Sequence, residues 1–471
     1  MPLRHDLRNR NDSGVNRRVA LRTLTAAGAA AAFWRPVEAF ARAGYTIAPD
    51  IVVAADGTGD FTSVQAAVQS IPQTNRERVV VLIKDGVYRE AVRVDAAYVT
   101  LRGESRQGAR LELTRPSGST RGDSLGAGIL NSSSTAHDLV IENLTVHNTV
   151  QETGPHAFAI VGRSDRIVVQ NADVLSRGAD TLSLWRQLKT AEEAGLSEGP
   201  GATPLTADGG RYYKRNLRIT GSVDFVCPRG WCYMTDSQIE QVHPQAEAAF
   251  WHDGGNIADK KFVIRNTRAD GPPDFFLARA HRDAQFYFLD CQFTDRMRDK
   301  PPHLVNYPLD GGPPTAEDDA RNAKIASETR VGVRSYYSNT RRPAGDYSWM
   351  ADNLGEAVGS PRAEDITAKW TFGGTWDPEN PVGPRAGEVR DEGGRIHVVF
   401  DRLVTVKGQP ELLLEGGQGA EYVSGSGTNA LVFARPPGAR GRPTRLTYER
   451  GAVIGSEAAA LIMLAEPDLP A

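Results

Sequence analysis

The chain has 471 residues, of which 40% are hydrophobic and 24% charged, with 47 Gly, 28 Pro and a formal net charge of −3 at pH 7. Apolar residues are too plentiful for a wholly disordered chain, and the Gly and Pro content argues against a helical bundle. No run of about 20 apolar residues occurs, so the sequence predicts no membrane-spanning helix.

Residues 1–43 contain eight Arg and only three acidic residues. Arg17 and Arg18 directly precede an Ala-rich apolar segment at 24–34, which is too short to span a bilayer. The arrangement resembles a twin-arginine-type export signal and predicts a periplasmic or extracellular protein. A basic arm followed by a chance Ala-rich helix is the alternative interpretation.

The rest of the chain is acidic, with 47 Lys and Arg against 55 Asp and Glu outside residues 1–43. Such a body is a poor general partner for nucleic acid, so we expect no nucleic-acid binding. An anionic ligand would need a local basic groove.

From residue 51 to about 293, short β-rich runs alternate with turn residues, and helical periodicity is scarce. One short helix is predicted at 64–71, with Thr62 or Ser63 as its N-cap. The predicted class is therefore all-β.

An internal repeat runs through this region. An Asn or Asp follows a β-run and is itself followed three residues later by an apolar residue, at intervals of 20 to 30 residues and one of 45. These positions are Asn143, Asn171, Asn216, Asp236, Asn266 and Asp290. The period predicts a solenoid of parallel strands whose stacked Asn side chains form a ladder at one corner. An antiparallel β-sandwich remains the alternative, and the long interval indicates an insertion at 188–210.

Three domains are predicted: the export signal at 1–43, the solenoid at 44–386 and a small β-sandwich at 387–471. Residues 300–385 have few β-runs and are expected to wrap the solenoid. Residues 387–471 contain short strands between Gly-rich turns. Three cysteines are too few for a disulfide scaffold; Cys227 and Cys232 could pair, or all three could be buried thiols.

Three charged residues stand in apolar surroundings: Asp180, Asp224 and Arg279. Charges in apolar strands are costly unless they are paired. A solenoid brings residues that are distant in sequence side by side on adjacent turns. Two carboxylates and a guanidinium on one face would form a site.

Six motifs around these residues, in order, resemble those of the pectin methylesterases (pectinesterases), which are right-handed parallel β-helices. The matching segments are 52–65, Gly86-Val87-Tyr88-Arg89-Glu90, Asn148-Thr149, Ala179-Asp180-Thr181-Leu182, Val223-Asp224-Phe225-Val226 and Leu277-Ala278-Arg279-Ala280-His281. The resemblance covers about residues 45–381.

The resemblance implies an esterase that releases methanol from the galacturonate methyl esters of pectin or a related anionic polysaccharide. Asp224 would attack the ester carbonyl, and Asp180 would act as general acid and then general base. Arg279 would hold Asp224 ionised and lower its pKa. The resemblance implies no metal and no cofactor, and we expect a monomer.

This sequence departs from the family pattern at both oxyanion glutamines, where His156 and Ala179 stand. His156 is the candidate replacement donor, with a structural histidine as the alternative. His281 replaces a Trp that stacks on sugar in the family, and Trp231, Phe225 and Tyr213 are further substrate-binding candidates. The alternatives are an esterase acting on another esterified glycan and a non-catalytic pectin-binding protein.

Overall fold

The computed structural model describes residues 49–187, 205–206, 208–255, 257–309, 311–380, 384–447 and 451–456. The predicted export signal and most of the predicted insertion lie outside these residues. Within them, no helix is both long enough and apolar enough to cross a membrane.

The region from Ile51 to Ser338 coils into a parallel β-helix, in which each turn of the chain forms a rung on the one before. The first sheet contains Ile51–Val53, Val79–Ile83, Val99–Gly103, His137–Glu142, Asp165–Leu175, Arg211–Gly221, Trp231–Thr235, Phe262–Arg265, Ala284–Leu289 and Val333–Ser338. Its flanking strands are Gly86–Tyr88, Ala109–Leu113, Thr145–Asn148, Gln238–Gln241, Arg268–Asp270 and Gln292–Phe293. The second sheet contains Val92–Val94, Leu130–Ser132, Ile160–Gly162, Leu182–Leu184, Val226–Pro228, Ala248–Trp251, Phe276–Ala280 and His303–Leu304. The parallel pairing confirms the predicted solenoid and excludes an antiparallel sandwich for this region.

Strand alternation builds the core of the β-helix. Side chains in register on successive rungs of the first sheet point inward and are buried: Leu139, Ile167, Tyr212, Cys232, Phe262 and Phe286. The next residue of each strand points outward: Val140, Val168, Tyr213, Tyr233, Val263 and Tyr287. The outward set is buried as well, because a later part of the chain covers it.

The predicted Asn ladder is present at the corner of the first sheet. All six repeat positions adopt left-handed backbone conformations, with φ between 42° and 55°. Asn171 Nδ2 donates to Asn143 Oδ1 at 2.8 Å, and Asn216 Nδ2 donates to Asn171 Oδ1 at 2.9 Å. Further along the corner, Asn266 Nδ2 donates to Asp236 Oδ1 at 2.6 Å. Asn and Asp tolerate this conformation better than other non-Gly residues, which explains the repeat.

We expect Asn171→Ala to destabilise the protein by about 2 kcal/mol, because it loses two ladder hydrogen bonds and places Ala in the left-handed region. Asn171→Gly relieves the backbone strain. Its loss of stability should therefore reflect the missing ladder hydrogen bonds alone and should be smaller than that of Asn171→Ala. Urea unfolding of the wild type, Asn171→Ala and Asn171→Gly measures the contribution of the ladder and that of the backbone strain. Equal stability of the Ala variant and the wild type would contradict the assignment of the ladder as stabilising.

The helix predicted at 64–71 is confirmed at Val64–Gln69. The Ser63 side chain accepts from the Ala66 N–H at 3.1 Å. The Glu90 carboxylate accepts from the Val64 N–H at 2.8 Å and the Gln65 N–H at 3.0 Å. Glu90 of the Gly-x-Tyr-x-Glu segment therefore anchors this helix to the first rungs.

The segment after the solenoid wraps the first sheet, as predicted. It contains the helices Ala316–Glu328 and Ala368–Thr371 and the short 3-10 helices Ser348–Met350, Leu354–Glu356 and Ala363–Asp365. Trp370 packs edge-on against Tyr287, with ring centroids 5.4 Å apart. Elsewhere, a 3-10 helix lies at Ser117–Thr120, and Arg186–Gln187 pairs with Asp208–Gly209 in a small antiparallel ladder.

The C-terminal strands pair as one antiparallel sheet around their own core. Its strands are Ala386–Glu392, Arg395–Gly408, Glu411–Leu414, Gly419–Ser424, Thr428–Ala434, Pro443–Thr447 and Gly451–Gly455. The strand Arg395–Gly408 is long enough for its two halves to pair with different partners, so the seven strands form one sheet. This sheet contacts the first rungs: the Thr405 hydroxyl accepts from the Arg78 N–H at 2.8 Å, and Lys407 pairs with Asp50 at 2.6 Å.

Candidate active site

Asp180 and Asp224 occupy equivalent positions on adjacent rungs. Each lies two residues before a strand of the second sheet, and those strands pair in register, with Leu182 opposite Val226. Both residues are left-handed, with φ of 56° and 48°. The Asp180 N–H donates to the Val223 carbonyl at 3.0 Å. The structure therefore brings together two carboxylates that are 44 positions apart in sequence.

Arg279 reaches Asp224 from two rungs further along the second sheet. Its Nε donates to Asp224 Oδ1 at 2.9 Å and its Nη2 to Oδ2 at 2.9 Å, while Nη1 donates to Glu247 Oε2 at 3.0 Å. Asp224 and Arg279 are 7% and 6% exposed. A buried two-pronged guanidinium–carboxylate pair is strong and fixes the orientation of the carboxylate.

The pKa of Asp224 is raised, whereas the sequence analysis expected Arg279 to lower it. Burial raises the pKa of the Asp224 carboxyl to about 7, although the Arg279 guanidinium opposes this shift. The desolvation of this buried carboxylate outweighs the attraction of one cation, which the sequence could not show. Asp180 and Glu247 raise the pKa of Asp224 further.

The Asp180 carboxyl also has a raised pKa. Burial raises it to about 6, and the Arg229 and Arg279 guanidinium groups oppose the shift. Two carboxyls in electrostatic contact release their protons as a pair. Both oxygens of Asp224 accept hydrogen bonds from Arg279, whereas no such bond restrains Asp180 among the described residues. The higher pKa of Asp224, taken alone, would place the proton there, but the two hydrogen bonds from Arg279 are strongest to an ionised Asp224 and so favour the form with the proton on Asp180.

His156 and Ala179 occupy the positions of the two missing amide donors. They lie opposite each other in a parallel bridge, so both backbones adjoin Asp180. The His156 side chain is 59% exposed, and its Nε2 lies 3.9 Å from Asp180 Oδ1. Ala179 is buried and offers no side-chain donor. His156 therefore lies beside the Asp180 carboxyl, on its solvent side.

His281 is the one predicted substrate-binding residue that lies next to Arg279 on the exposed side of the second sheet. Its ring packs edge-on against Trp251, with ring centroids 4.3 Å apart, and its Nε2 lies 3.0 Å from the Tyr307 hydroxyl. Burial and the nearby Arg279 lower the pKa of His281 to about 4, so its ring is neutral near pH 7. Trp251 and Tyr307 were not predicted, because only the rung register places them beside Arg279.

The structure does not place the other three predicted substrate-binding residues at this site. Phe225 is fully buried inside the β-helix, because it points inward from the turn that carries Asp224. Tyr213 and Trp231 lie on the first sheet. Tyr213 is covered and stacks on Tyr233 with ring centroids 6.1 Å apart, and Trp231 Nε1 donates to Asp259 Oδ2 at 3.0 Å.

The three cysteines are free and buried. Cys227 and Cys232 fall on different sheets, in the strands Val226–Pro228 and Trp231–Thr235. Of the two interpretations left open by the sequence, the structure shows the buried thiols. Cys227 packs with Trp251 and Val305 in a small hydrophobic cluster.

Cations surround the two carboxylates although the chain as a whole is acidic. On one side, Lys300 Nζ and Arg298 Cζ lie over the Phe276 ring, at 5.3 Å and 5.8 Å from its centroid. On the other side, Arg229 stands close enough to Asp180 to oppose its raised pKa. Sequence analysis missed these residues, because rung stacking places Arg229 and a returning loop places Arg298 and Lys300. The arrangement forms the local basic surface that an anionic ligand requires.

Comparison with known proteins finds similarity to pectinesterases over part of the chain. Residues 50–188 match the family model for pectinesterase, a region that includes His156 and Asp180 and ends before Asp224. The chain is 28% identical over 200 residues to probable pectinesterase 56 of Arabidopsis thaliana, covering 41% of this chain and 59% of that protein. It is 31% identical over 203 residues to a pectinesterase of Daucus carota, covering 42% of this chain and 54% of that protein.

These matches span less than two thirds of the length of either curated relative. In fold, the chain resembles the pectin methylesterase PemA from Erwinia chrysanthemi, with a TM-score of 0.51 and 18% identity over 71% of this chain and all of that one. That similarity supports the parallel β-helix. The sequence matches show that residues 50–188 are similar to the pectinesterase family.

Proposed function

We propose that this protein hydrolyses the methyl esters of galacturonate residues in pectin, with Asp224 as nucleophile and Asp180 as general acid and base. One observation carries the proposal: a buried carboxylate, oriented by two hydrogen bonds from Arg279, stands on the rung next to a second carboxyl of raised pKa. The similarity of residues 50–188 to pectinesterases and the basic surroundings of the two carboxylates support an esterified polyuronide as substrate.

In the first half-reaction, an Asp224 oxygen attacks the ester carbonyl carbon at C6 and a tetrahedral oxyanion forms. The bond between that carbon and the methoxy oxygen then breaks. Asp180 gives its proton to the departing oxygen, so methanol leaves and an acyl-enzyme anhydride remains on Asp224. Asp180 is then a carboxylate.

In the second half-reaction, Asp180 takes a proton from a water molecule whose oxygen attacks the same carbonyl carbon. The bond to Asp224 breaks, which releases the galacturonate carboxylic acid and restores the Asp224 carboxylate. Arg279 keeps its hydrogen bonds to the attacking group throughout, so it positions the nucleophile and disperses its charge. The two carboxyls thus perform opposite roles because their partners differ.

The mechanism predicts a bell-shaped pH profile. The productive form has Asp224 ionised and Asp180 protonated, and the pair has pKa values of about 7 and about 6. We therefore expect kcat/KM to peak between these values and to fall by about tenfold per pH unit beyond either limb. Initial rates of methanol release across the pH range measure this, with circular dichroism at each pH as the control for unfolding. An acidic limb near the ordinary Asp pKa would contradict the raised values.

The position of His156 predicts a role in oxyanion stabilisation. We expect His156→Ala to lower kcat by about tenfold to a hundredfold with little change in KM, because a donor to the tetrahedral intermediate is lost. His156→Gln restores an N–H donor and should recover most of the rate. His397→Ala, in the C-terminal sheet, is the matched control. An unchanged kcat in His156→Ala would leave His156 without this role.

Release of methanol from highly methylated pectin tests the proposed function, with release of acetate from acetylated glycans measured in parallel. Methanol alone supports the proposal. Acetate alone would indicate an esterase of another specificity, which the changed residues at 156, 179 and 281 favour as the second candidate. If the folded protein binds pectin and releases neither product, it is a binding protein on the same scaffold.

Export through residues 1–43 stays a prediction.

A further inference from the structure

A cleft of about 700 Å³ lies on the outer face of the first sheet, around a corner from the two carboxylates. Its floor is formed by Lys261, Gln285 and Arg334, which point outward at the same level of successive rungs. Its wall is formed by Lys369 and Trp370, which belong to the segment that wraps the β-helix. The cleft therefore lies where two parts of the chain meet without filling the space between them.

Cations outnumber anions at this cleft. Lys261, Arg334 and Lys369 line it, and Asp259 is the one acidic side chain among the described lining residues. Asp259 is already engaged, because its Oδ1 accepts from Lys261 Nζ at 2.8 Å and its Oδ2 from Trp231 Nε1 at 3.0 Å. In the part of the chain that the structure describes, Arg334 and Lys369 have no carboxylate oxygen within 4.0 Å. The excess positive charge favours an anionic ligand.

Two hydrogen-bond donors on the floor lack an acceptor. Arg334 Nη2 donates to the Ala258 carbonyl at 2.7 Å, but Arg334 Nε is buried with no partner among the described residues. Gln285 Nε2 donates to the Tyr287 hydroxyl at 2.7 Å. An amide N–H only donates, so this hydroxyl accepts, and its own proton has no acceptor within the described ranges. Buried donors without acceptors are unfavourable, so ligand oxygens would gain most at this place.

The aromatic side of the cleft is rigid. Trp370 is half-buried, and Lys261 Nζ lies 4.9 Å from the centroid of its ring. The Tyr287 ring packs against both Trp370, at 5.4 Å between centroids, and Tyr336, at 4.8 Å. Aromatic rings offer an apolar surface to the C–H groups of a sugar ring. An aromatic wall beside unpaired cations and donors thus suits a sugar that carries a carboxylate.

We propose that this cleft is a second binding site, which takes a uronate residue of the de-esterified polysaccharide on a different face from the ester that is hydrolysed. The identity of the sugar rests on the proposed function. Gln285 is six positions after Arg279, so their Cα atoms are at most about 22 Å apart. One polysaccharide chain can therefore reach both places. The site retains a chain whose esters have been hydrolysed, because only free carboxylates match its charge.

Tryptophan fluorescence of the full chain, titrated with an unesterified galacturonate trimer, tests the cleft without turnover. Trp370 lines the cleft, so the part of the emission change that Trp370→Phe abolishes reports binding there. We expect a saturable change that high salt weakens. Arg334→Gln and Lys369→Glu should each raise the midpoint by about tenfold or more. Arg218→Gln, an exposed arginine on the same sheet, is the matched control and should leave the midpoint unchanged.

Three results would overturn the second site. These are no emission change in the wild type, the same change in Trp370→Phe, and equal midpoints in the wild type and Lys369→Glu, whose exposed position leaves folding intact. Acetate with the same midpoint as the trimer would overturn the assignment to a sugar, since a small free carboxylate would then suffice. Because the trimer carries no ester, the site can bind it even if no methanol is released from pectin, and it can fail while methylesterase activity stands.

Discussion

Asp224→Asn should abolish methanol release from methylated pectin, with a loss in kcat on the order of 10,000-fold or more. The amide is no nucleophile, so no acyl-enzyme can form, and general-acid catalysis alone leaves only a small residual rate. The fold should persist, because the Asn side-chain oxygen can still accept a hydrogen bond from Arg279. Initial rates of methanol release, with thermal unfolding of both proteins, measure the effect.

Asp236→Asn is the matched control for this variant. Asp236 also has a left-handed backbone, with φ of 54°, and also lies at a corner between stacked rungs. Its carboxylate accepts from Asn266 in the ladder at 2.6 Å, a bond that an Asn oxygen can also accept. We expect wild-type activity from this control. Substantial methanol release by Asp224→Asn would remove Asp224 as the nucleophile.

Arg279→Gln should lower kcat/KM by about 100-fold and move the acidic limb of the pH profile upward. Arg279 lowers the pKa of Asp224 against the effect of burial, so its removal raises that pKa beyond about 7. Less of the nucleophile is then ionised at any given pH, and its orientation is lost. The pH profile separates the two effects, since the change in ionisation shifts the limbs of the profile whereas the lost orientation lowers its maximum.

The same variant should lose stability in a pH-dependent manner. A carboxyl whose folded pKa is raised binds its proton more tightly in the folded state, so stability falls as pH rises through that pKa. We expect a loss of about 3 kcal/mol at about pH 8, where Asp224 must be charged without its partner, and a smaller loss at about pH 5. Urea unfolding at both pH values measures the difference.

The double variant with Asp224→Asn tests whether this loss comes from the carboxylate. It should show little dependence on pH beyond that of its parent, because no charge is left to bury at position 224. Arg282→Gln, which removes an exposed pair with Glu328 at 2.9 Å, should change stability by less than about 0.5 kcal/mol. A pH-independent loss in Arg279→Gln would indicate packing rather than electrostatics.

The repeat of Asn and Asp residues predicted the solenoid because it reports a local requirement. A rung corner needs a left-handed residue with a side chain that can bond to the rungs above and below, and few residue types satisfy both demands. Asn143, Asn171 and Asn216 therefore carry their structural role in the sequence itself. The same reasoning located Asp180, Asp224 and Arg279, since charged residues in apolar strands require a partner.

The aromatic residues show where this reasoning ends. Trp231 follows Asp224 by seven positions, yet the chain turns a corner between them and places Trp231 on another sheet. Phe225 adjoins Asp224 in sequence and points into the core. Trp251 and Tyr307, distant in sequence, contact His281 instead. Separation along the chain therefore did not indicate which aromatic side chains lie near the carboxylates in space.

The sequence by itself determined the solenoid, its Asn ladder, the capped helix at Val64–Gln69 and the three charged residues, because each depends on a local pattern or on the cost of an unpaired charge. Only the tertiary structure decided which side chains share a face with them. Arg163, Trp185 and Arg229 come together through the stacking of rungs, and Arg298 and Lys300 through a returning loop. The sign of the Asp224 pKa shift likewise depended on burial, which is a property of all the packed rungs and of no single motif.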